Sequence, residues 1–454
     1  MGRRSGRSCV GGEGSSAGVR PRRRATRLRW SVVCVLLVAW SPARAEEASA
    51  YGGDFWSRST LSGSWGGVRD RWAAKGLTFS IDATYTFQGV ADGGFEGPVF
   101  DRVSDEDDVG NVLSGMIGVA FDTGKAGLWE GGTFDARVDG RVGRSILQRA
   151  GSVSAVDNDA LFPNVVDRFD EGALALTALT FTQALGAGFS AFGGLMNTAE
   201  GDANELAGSA LANDSFLNSA LLYSLVEDAT VPNVTLGGGI GWEPHERVAG
   251  SVSVFGTSET AGESPFQPHG TTFATEWTVS HRLLDRPGAE TFGALYGIDE
   301  RRADIAADPR TVLVDLLRGR PAPTTLEDSW ALYFNAHQYL QGDGDGGFGF
   351  FVRAGLSDGN PNLVKWNAAG GFGGIGSLPR RPRDRWGLGA FAVGMSDEDL
   401  LRGLGVGTEV GGELFYNFAV TPWLHLTLDA QVIDSALRRA DTAWVLGMRT
   451  HVDF

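Results

Sequence analysis

The feature that most restricts this chain is a two-residue rhythm in its final segment. Counting back from the C-terminus, Phe454, Val452, Thr450, Met448, Leu446 and Trp444 fall on one side. Asp453, His451, Arg449, Gly447, Val445 and Ala443 fall on the other. Successive side chains of a strand point to opposite faces, so one face of this segment suits an apolar medium and the other suits water. Residues 424–432 repeat the pattern, with Leu424, Leu426, Leu428, Ala430 and Val432 opposed to His425, Thr427, Asp429 and Gln431. Residues 77–88 repeat it again, Leu77, Phe79, Ile81, Ala83, Tyr85 and Phe87 standing against Thr78, Ser80, Asp82, Thr84, Thr86 and Gln88. No stretch after residue 45 offers 18 consecutive apolar residues, so no spanning helix is expected.

A soluble sandwich alternates too, but segments of about 10 residues suit a tilted membrane strand better than a soluble one. Sixteen such segments start near residues 77, 112, 132, 174, 188, 233, 248, 272, 290, 329, 347, 366, 385, 409, 424 and 442. The connections then sort by length. Those after odd-numbered segments are long, as at 143–173, 197–232 and 300–328; those after even-numbered ones are short, as at 185–187, 243–247 and 421–423. Long loops at one end and short turns at the other is the plan of an outer-membrane barrel. The fold class expected is therefore all-β: a sixteen-stranded antiparallel transmembrane β-barrel with long extracellular loops and short periplasmic turns. In hydrocarbon every backbone N–H and C=O must be paired within the protein, so such a sheet closes on itself. At sixteen strands its interior is wide enough for an aqueous channel. Trp242, Trp330, Trp386, Trp423 and Trp444 stand near strand ends, where they would form interfacial girdles.

The N-terminal region reads as an export signal. Residues 1–45 hold ten arginines and one acid, Glu13, followed by the apolar run from Trp30 to Trp40 and an A-x-A cleavage site at Ala43–Ala45. Without this leader the formal charge goes from −16 to −25. Cys9 and Cys34 lie within it, so a mature chain has no disulfide framework and no thiolate metal site. Residues 46–76 would form a periplasmic N-terminal segment, with a short helix over 68–75 stopped by Gly76, and residues 77–454 the barrel. An acidic chain lacks the basic surface that a nucleic-acid binder needs, so no nucleic-acid partner is expected.

Several short words carry a likeness. They are Leu61-Ser-Gly-Ser-Trp65-Gly66-Gly67-Val68-Arg69 running on to Lys75-Gly76-Leu77, Ala274-Thr-Glu276-Trp277, and Asp328-Ser-Trp330-Ala-Leu-Tyr333-Phe-Asn335. Beyond them stand Arg353-Ala-Gly-Leu-Ser-Asp-Gly-Asn-Pro361, Gly371-Phe-Gly-Gly-Ile-Gly-Ser-Leu-Pro379, Val420-Thr-Pro-Trp-Leu-His425 and Asp441-Thr-Ala-Trp-Val-Leu-Gly447. In order and number these resemble the OprB-like carbohydrate-selective porin family. The similarity is clear at 61–90 and from about 270 to 454, and weak between about 145 and 250. The resemblance implies passive diffusion of neutral sugars through the bacterial outer membrane, among lipid and lipopolysaccharide. It also implies inward-folded loops, an arginine with acidic and aromatic residues at the constriction, and a lean towards monomer over homotrimer.

The densest polar face is on the third segment, where Thr133, Asp135, Arg137, Asp139 and Arg141 alternate with Phe134, Ala136, Val138 and Val142. Residues two apart on a strand lie about 7 Å apart on one face. An alternating acid/base row can hydrogen-bond sugar hydroxyls without a large excess of one sign, or simply line a solvated wall. Glu276, Arg353 and Arg449 point inward by the same alternation and read as pore lining, as do Asp429 and His425. Chemistry is sparse elsewhere. The six histidines form no H-E-x-x-H, so neither a metal nor another cofactor is expected. Gly355-Leu-Ser357-Asp-Gly359 has the nucleophile-elbow spacing but no following helix, and reads as a turn. Gly342–Gly347 reads as a periplasmic turn, and the acids at 105–108 as a solvated run or a divalent-cation contact. The function classes left are a sugar porin, a general or cation-preferring porin, a barrel enzyme using His269 with Ser258 or Ser264, and a closed structural barrel.

Overall fold

In a computed structural model the described residues are 51–95, 108–163, 172–228, 230–257, 269–300, 302–306, 325–342 and 346–454. The leader, most of the acidic run at 105–108 and the middle of the Gly342–Gly347 turn lie outside them. The strands are β1 (Leu77–Gly94), β2 (Val109–Asp122), β3 (Gly132–Arg144), β4 (Ala173–Gly186), β5 (Phe189–Asn197), β6 (Val234–His245), β7 (Val248–Thr257) and β8 (Gly270–Leu283). They continue as β9 (Arg286–Ile298), β10 (Ser329–Gly342), β11 (Gly347–Ser357), β12 (Val364–Ile375), β13 (Arg385–Met395), β14 (Thr408–Thr421), β15 (Leu424–Asp434) and β16 (Asp441–Asp453). Each pairs antiparallel with its neighbours in sequence, and β16 returns to β1, so the sheet is a closed barrel. All sixteen segments expected from the alternation are strands. The largest differences at the starts are at β9, which begins at Arg286, and β2, which begins at Val109.

The alternation resolves as an apolar exterior. Leu174, Ile117, Val142, Phe292, Leu388, Leu414 and Leu446 are all exposed, while their neighbours in sequence face the lumen. In water this band would be untenable; in hydrocarbon it is the natural surface. Aromatic clusters mark the short-turn end. Trp129, Phe134 and Phe181 meet there, and Phe189 stacks on Trp242 at 5.5 Å. Trp330 and Trp444 stand at the starts of β10 and β16, at the opposite end. Trp423 departs from the girdle expected of it. It is buried, edge-on to Phe55, and its Nε1 donates to the Phe55 carbonyl (2.9 Å).

That contact comes from the segment preceding β1, which closes over the barrel seam at the short-turn end. Its helix α1 (Val68–Ala73) is followed by Gly76 at φ +88°, where a Cβ would fall 2.3 Å from the Asp122 carbonyl. Arg69 is buried beneath Tyr51 and Trp65. Its guanidinium donates to the Phe454 carbonyl (2.8 Å) and the Phe79 carbonyl (2.6 Å), bridging the first and last strands.

Two long loops do not stay outside. Residues 145–163 and the described residues of 198–233 turn into the lumen and build an apolar core there with the wall. They carry the short helices α2 (Leu147–Ala150), α3 (Ser219–Leu222) and α4 (Leu225–Asp228). The wall makes room with glycine. A Cβ at Gly387 would lie 2.6 Å from the Phe216 ring, at Gly389 2.7 Å from Leu221, and at Gly373 2.6 Å from the Leu206 carbonyl. Ala443 and Val445, on the water-facing side of β16, are buried in the same core, as is Ile433 on β15. Replacing an exterior leucine with arginine tests the lipid-facing assignment: Leu414→Arg should lower unfolding stability in lipid by about 2–4 kcal/mol, read by urea titration of the heat-modifiable band.

Candidate functional site: the lumen passage

The inward loops are fastened by charges and amides that the wall presents at alternating positions. On β14, Glu409 accepts from the backbone N–H of Val153 (2.7 Å) and Ser154 (3.1 Å), and Glu413 from Leu217 (2.7 Å) and Asn218 (2.9 Å). Gln88 and Gln431 both donate to the Val156 carbonyl (2.9 and 2.8 Å). Arg353 has no exposed side-chain surface. Its Nη1 meets the Asp202 carboxylate and carbonyl, each at 2.6 Å, and its Nη2 the Gly208 carbonyl at 3.3 Å. Arg449 is equally covered; Nη2 donates to the Ser215 carbonyl (2.6 Å) and Nη1 lies 3.8 Å from Asp159. Arg385 pairs with Asp214 at 3.0 Å. Burial pushes the Asp214 carboxyl up, but Arg385 and His425 outweigh it and hold the group below its usual range.

These fastenings gather the loops mainly against β10–β16 and the long-loop half of β1, and leave a passage beside the rest of β1–β9. Three adjoining cavities mark it. The largest, with about 1210 Å³ of open space, lies toward the long-loop end and is lined by Phe162, Glu227, Phe255, Glu276, Leu295 and Tyr333 among others. One of about 790 Å³ lies toward the short-turn end, against Ser80, Asp135, Arg137, Thr180 and Glu200. A third, about 360 Å³, sits between Asp82, Arg137, Asp139 and Phe162. Glu200 lines the first two, Arg137 the last two, and Phe162 the first and third. These shared residues mark where the three cavities adjoin.

There Arg137 is held by two carboxylates. Its Nε and Nη2 bond Asp139 at 2.8 Å, on its own strand, and its Nη1 bonds Glu200, on the inward loop, at 3.2 Å. Thr177 also donates to Asp139. Burial raises the Glu200 carboxyl, against the pull of Arg137. Glu276 accepts from the Tyr333 hydroxyl (2.6 Å) and from the Asp202 N–H (3.4 Å).

The seven residues expected to line the pore thus separate. All face inward. Asp135, Arg137, Asp139 and Glu276 border the open space. Arg353 and Arg449 do not line it, because the loops they hold cover them, and Arg141 is buried on the same strand as Arg137. The expected balance of sign along β3 shifts accordingly. Asp82, Glu200, Glu227, Phe162 and Tyr333 enter the passage without having been singled out. Asp82 and Tyr333 were legible as inward positions of their strands; Glu200, Glu227 and Phe162 belong to the loops, where no period assigns a direction. Among the described residues no group of three or more His, Cys, Asp or Glu side chains is placed to hold a metal ion.

A closed, lipid-facing barrel with open space in its lumen beside its own inward loops is the architecture of an outer-membrane porin. The chain belongs to the OprB family of carbohydrate-selective porins, whose sequence profile matches residues 111–454. It is similar to the high-pH structure of Pseudomonas putida OprB, with a TM-score of 0.74 and 20% identity over 88% of this chain and 100% of that one. The low-pH structure of the same protein aligns at a TM-score of 0.56 and 17% identity, over 88% and 99% of the two chains. At these identities the likeness is one of fold. No curated protein matches the chain.

The clamp on the longer loop gives a direct expectation. Arg353→Met removes the cation opposite buried Asp202, a loss worth about 3–5 kcal/mol. The loop should then leave the wall, and single-channel recordings should show a larger and noisier conductance than the wild type.

Proposed function

We propose that this protein is a passive channel for small sugars, and that the pair Arg137–Glu200 with Asp139 forms the contact that a sugar meets where the cavities adjoin. The observation that carries this reading is the Arg137 fork, held by Asp139 of its own strand and Glu200 of the inward loop. A guanidinium so fixed presents donors, and its partners present acceptors, to sugar hydroxyls. Phe162 and Tyr333 supply apolar ring faces along the same path. Transport needs only diffusion down a gradient, with binding weak enough to let the solute leave. Each barrel holds its own passage, so one copy suffices for function.

On this reading the protein acts as a channel. Ser357, at the nucleophile-elbow spacing, is occupied as a turn residue: its hydroxyl donates to the Val364 carbonyl (2.7 Å) and accepts from the Gly359 N–H (3.1 Å). Of the other triad candidates, Ser258 and Ser264 lie outside the described residues, and the His269 N–H pairs with the Thr257 carbonyl at 2.8 Å.

Planar-bilayer conductance with glucose titration tests the site. Glucose should reduce the current, and Arg137→Ala should weaken that block by about tenfold, as expected for losing charge-assisted bonds worth roughly 1.5–3 kcal/mol. Block unaffected by the substitution would move the site elsewhere in the lumen. An open channel indifferent to glucose would make this a general porin.

A further inference from the structure

The passage and the plug divide the charges between them. In the middle of the passage stand Asp82, Asp139 and Asp159; toward the short-turn end, Asp135 and Glu200; toward the long-loop end, Glu227 and Glu276. Among the described residues lining these cavities, Arg137 is the one cation. The other inward arginines are committed elsewhere. Arg353, Arg385 and Arg449 grip the inward loops, and Arg141 is buried.

Pairing does not cancel the imbalance. Arg137 meets both Asp139 and Glu200, and Arg449 stands 3.8 Å from Asp159. That leaves more carboxyl groups than cations along the open space. One of them is poised as an acceptor without a donor: Asp135 Oδ2, closed to bulk solvent, has no hydrogen-bond partner in the protein. Low-dielectric walls focus such a field on whatever occupies the lumen, and a cleft of one sign concentrates solutes of the other. Glu276 and Glu227 also face the largest cavity together with Phe255 and Leu295, so an acceptor pair and an apolar wall sit side by side there.

We propose that the passage selects for positive charge, and that among saccharides it favours protonated amino sugars over neutral sugars and disfavours acidic ones. This rests on the reading of the chain as a sugar channel and adds the class of sugar. An amino sugar such as glucosamine has nearly the size of glucose, but it exchanges one hydroxyl for an ammonium with three donors. Its ring can lie against the apolar wall while the ammonium meets the carboxylates.

Two measurements on the full-length protein in lipid test this. The first is the zero-current potential across a KCl gradient. The second is entry of glucosamine, glucose and glucuronate into proteoliposomes at neutral pH. Expected are a preference for potassium over chloride, and glucosamine entering at least about threefold faster than glucose with glucuronate slowest, the order collapsing in about 1 M salt, where charges are screened beyond about 3 Å. In the paired variant Asp135→Asn, Glu200→Gln the preference for potassium should fall toward unity. Should that variant fail to fold, the salt dependence of the native channel carries the same test. A potassium-to-chloride ratio of one or less overturns the proposal, as does glucosamine entering no faster than glucose. If ions pass with the expected preference while no sugar enters, the sugar-channel reading itself falls.

Discussion

Everything in this molecule follows from the demand that no backbone amide or carbonyl be left unpaired in hydrocarbon. A sheet can meet it only by closing, and here β16 returns to β1 with continuous register from Asp82–Asp453 to Val90–Val445, then through two register shifts to Gly94–Asp441. Closure at sixteen strands then creates a second problem, since side chains of the wall cannot fill a lumen of that width. An unobstructed lumen would admit solutes with little discrimination. The inward loops answer this, but they bring buried backbone of their own into the barrel. Their N–H groups end on Glu409 and Glu413 of the wall, and the Val156 carbonyl ends on two glutamines. The same rule of satisfied backbone that closes the sheet therefore also dictates which polar residues the wall must carry.

The wall was legible in the sequence because its physics is local. A strand with lipid on one side and water on the other must alternate, and sixteen stretches do so clearly enough to be placed within a few residues. The plug was implied by the family resemblance but was not legible in the periodicity. Residues 198–233 contain Leu206, Phe216, Leu221, Leu222 and Val226, all buried, yet they are too short and too broken by turns to show a period. A trace of the plug does survive in the wall. Inward positions of β12 and β13 read Gly371, Gly373, Gly387 and Gly389, where a solvated channel would be expected to carry polar side chains. Ala443, Val445 and Ile433 likewise break the polar face of the last two strands. Small or apolar residues on the supposed water face signal that something packs there.

The same reasoning explains why Arg353 and Arg449 lie under the loops while Arg137 borders the passage. Alternation fixes direction, and all three point inward. It does not fix what lies above them. Arg353 is fully desolvated and its two Nη groups meet the Asp202 carboxylate and two loop carbonyls, the kind of pairing that a buried charge requires. Arg137 keeps some contact with the open space while bonded on two sides. A sequence can say that an arginine faces the lumen, but only the course of residues 198–233 decides whether it meets loop or solute.

Selectivity and stability are then coupled through one set of charges. Arg353 and Arg385 are taken up by Asp202 and Asp214 of the loops, and Arg449 stands near one passage acid alone, Asp159, so the clamps leave most carboxyl groups of the open space uncountered. The effect is strongest where the walls are apolar and the path narrow, because there the field of each carboxylate is least screened. At the junction of the cavities Arg137 stands between Asp139 and Glu200, with Asp135 below it. The acidic character of the passage is accordingly a consequence of how the plug is held, and changing the clamps would change both the width of the channel and the sign of what it prefers.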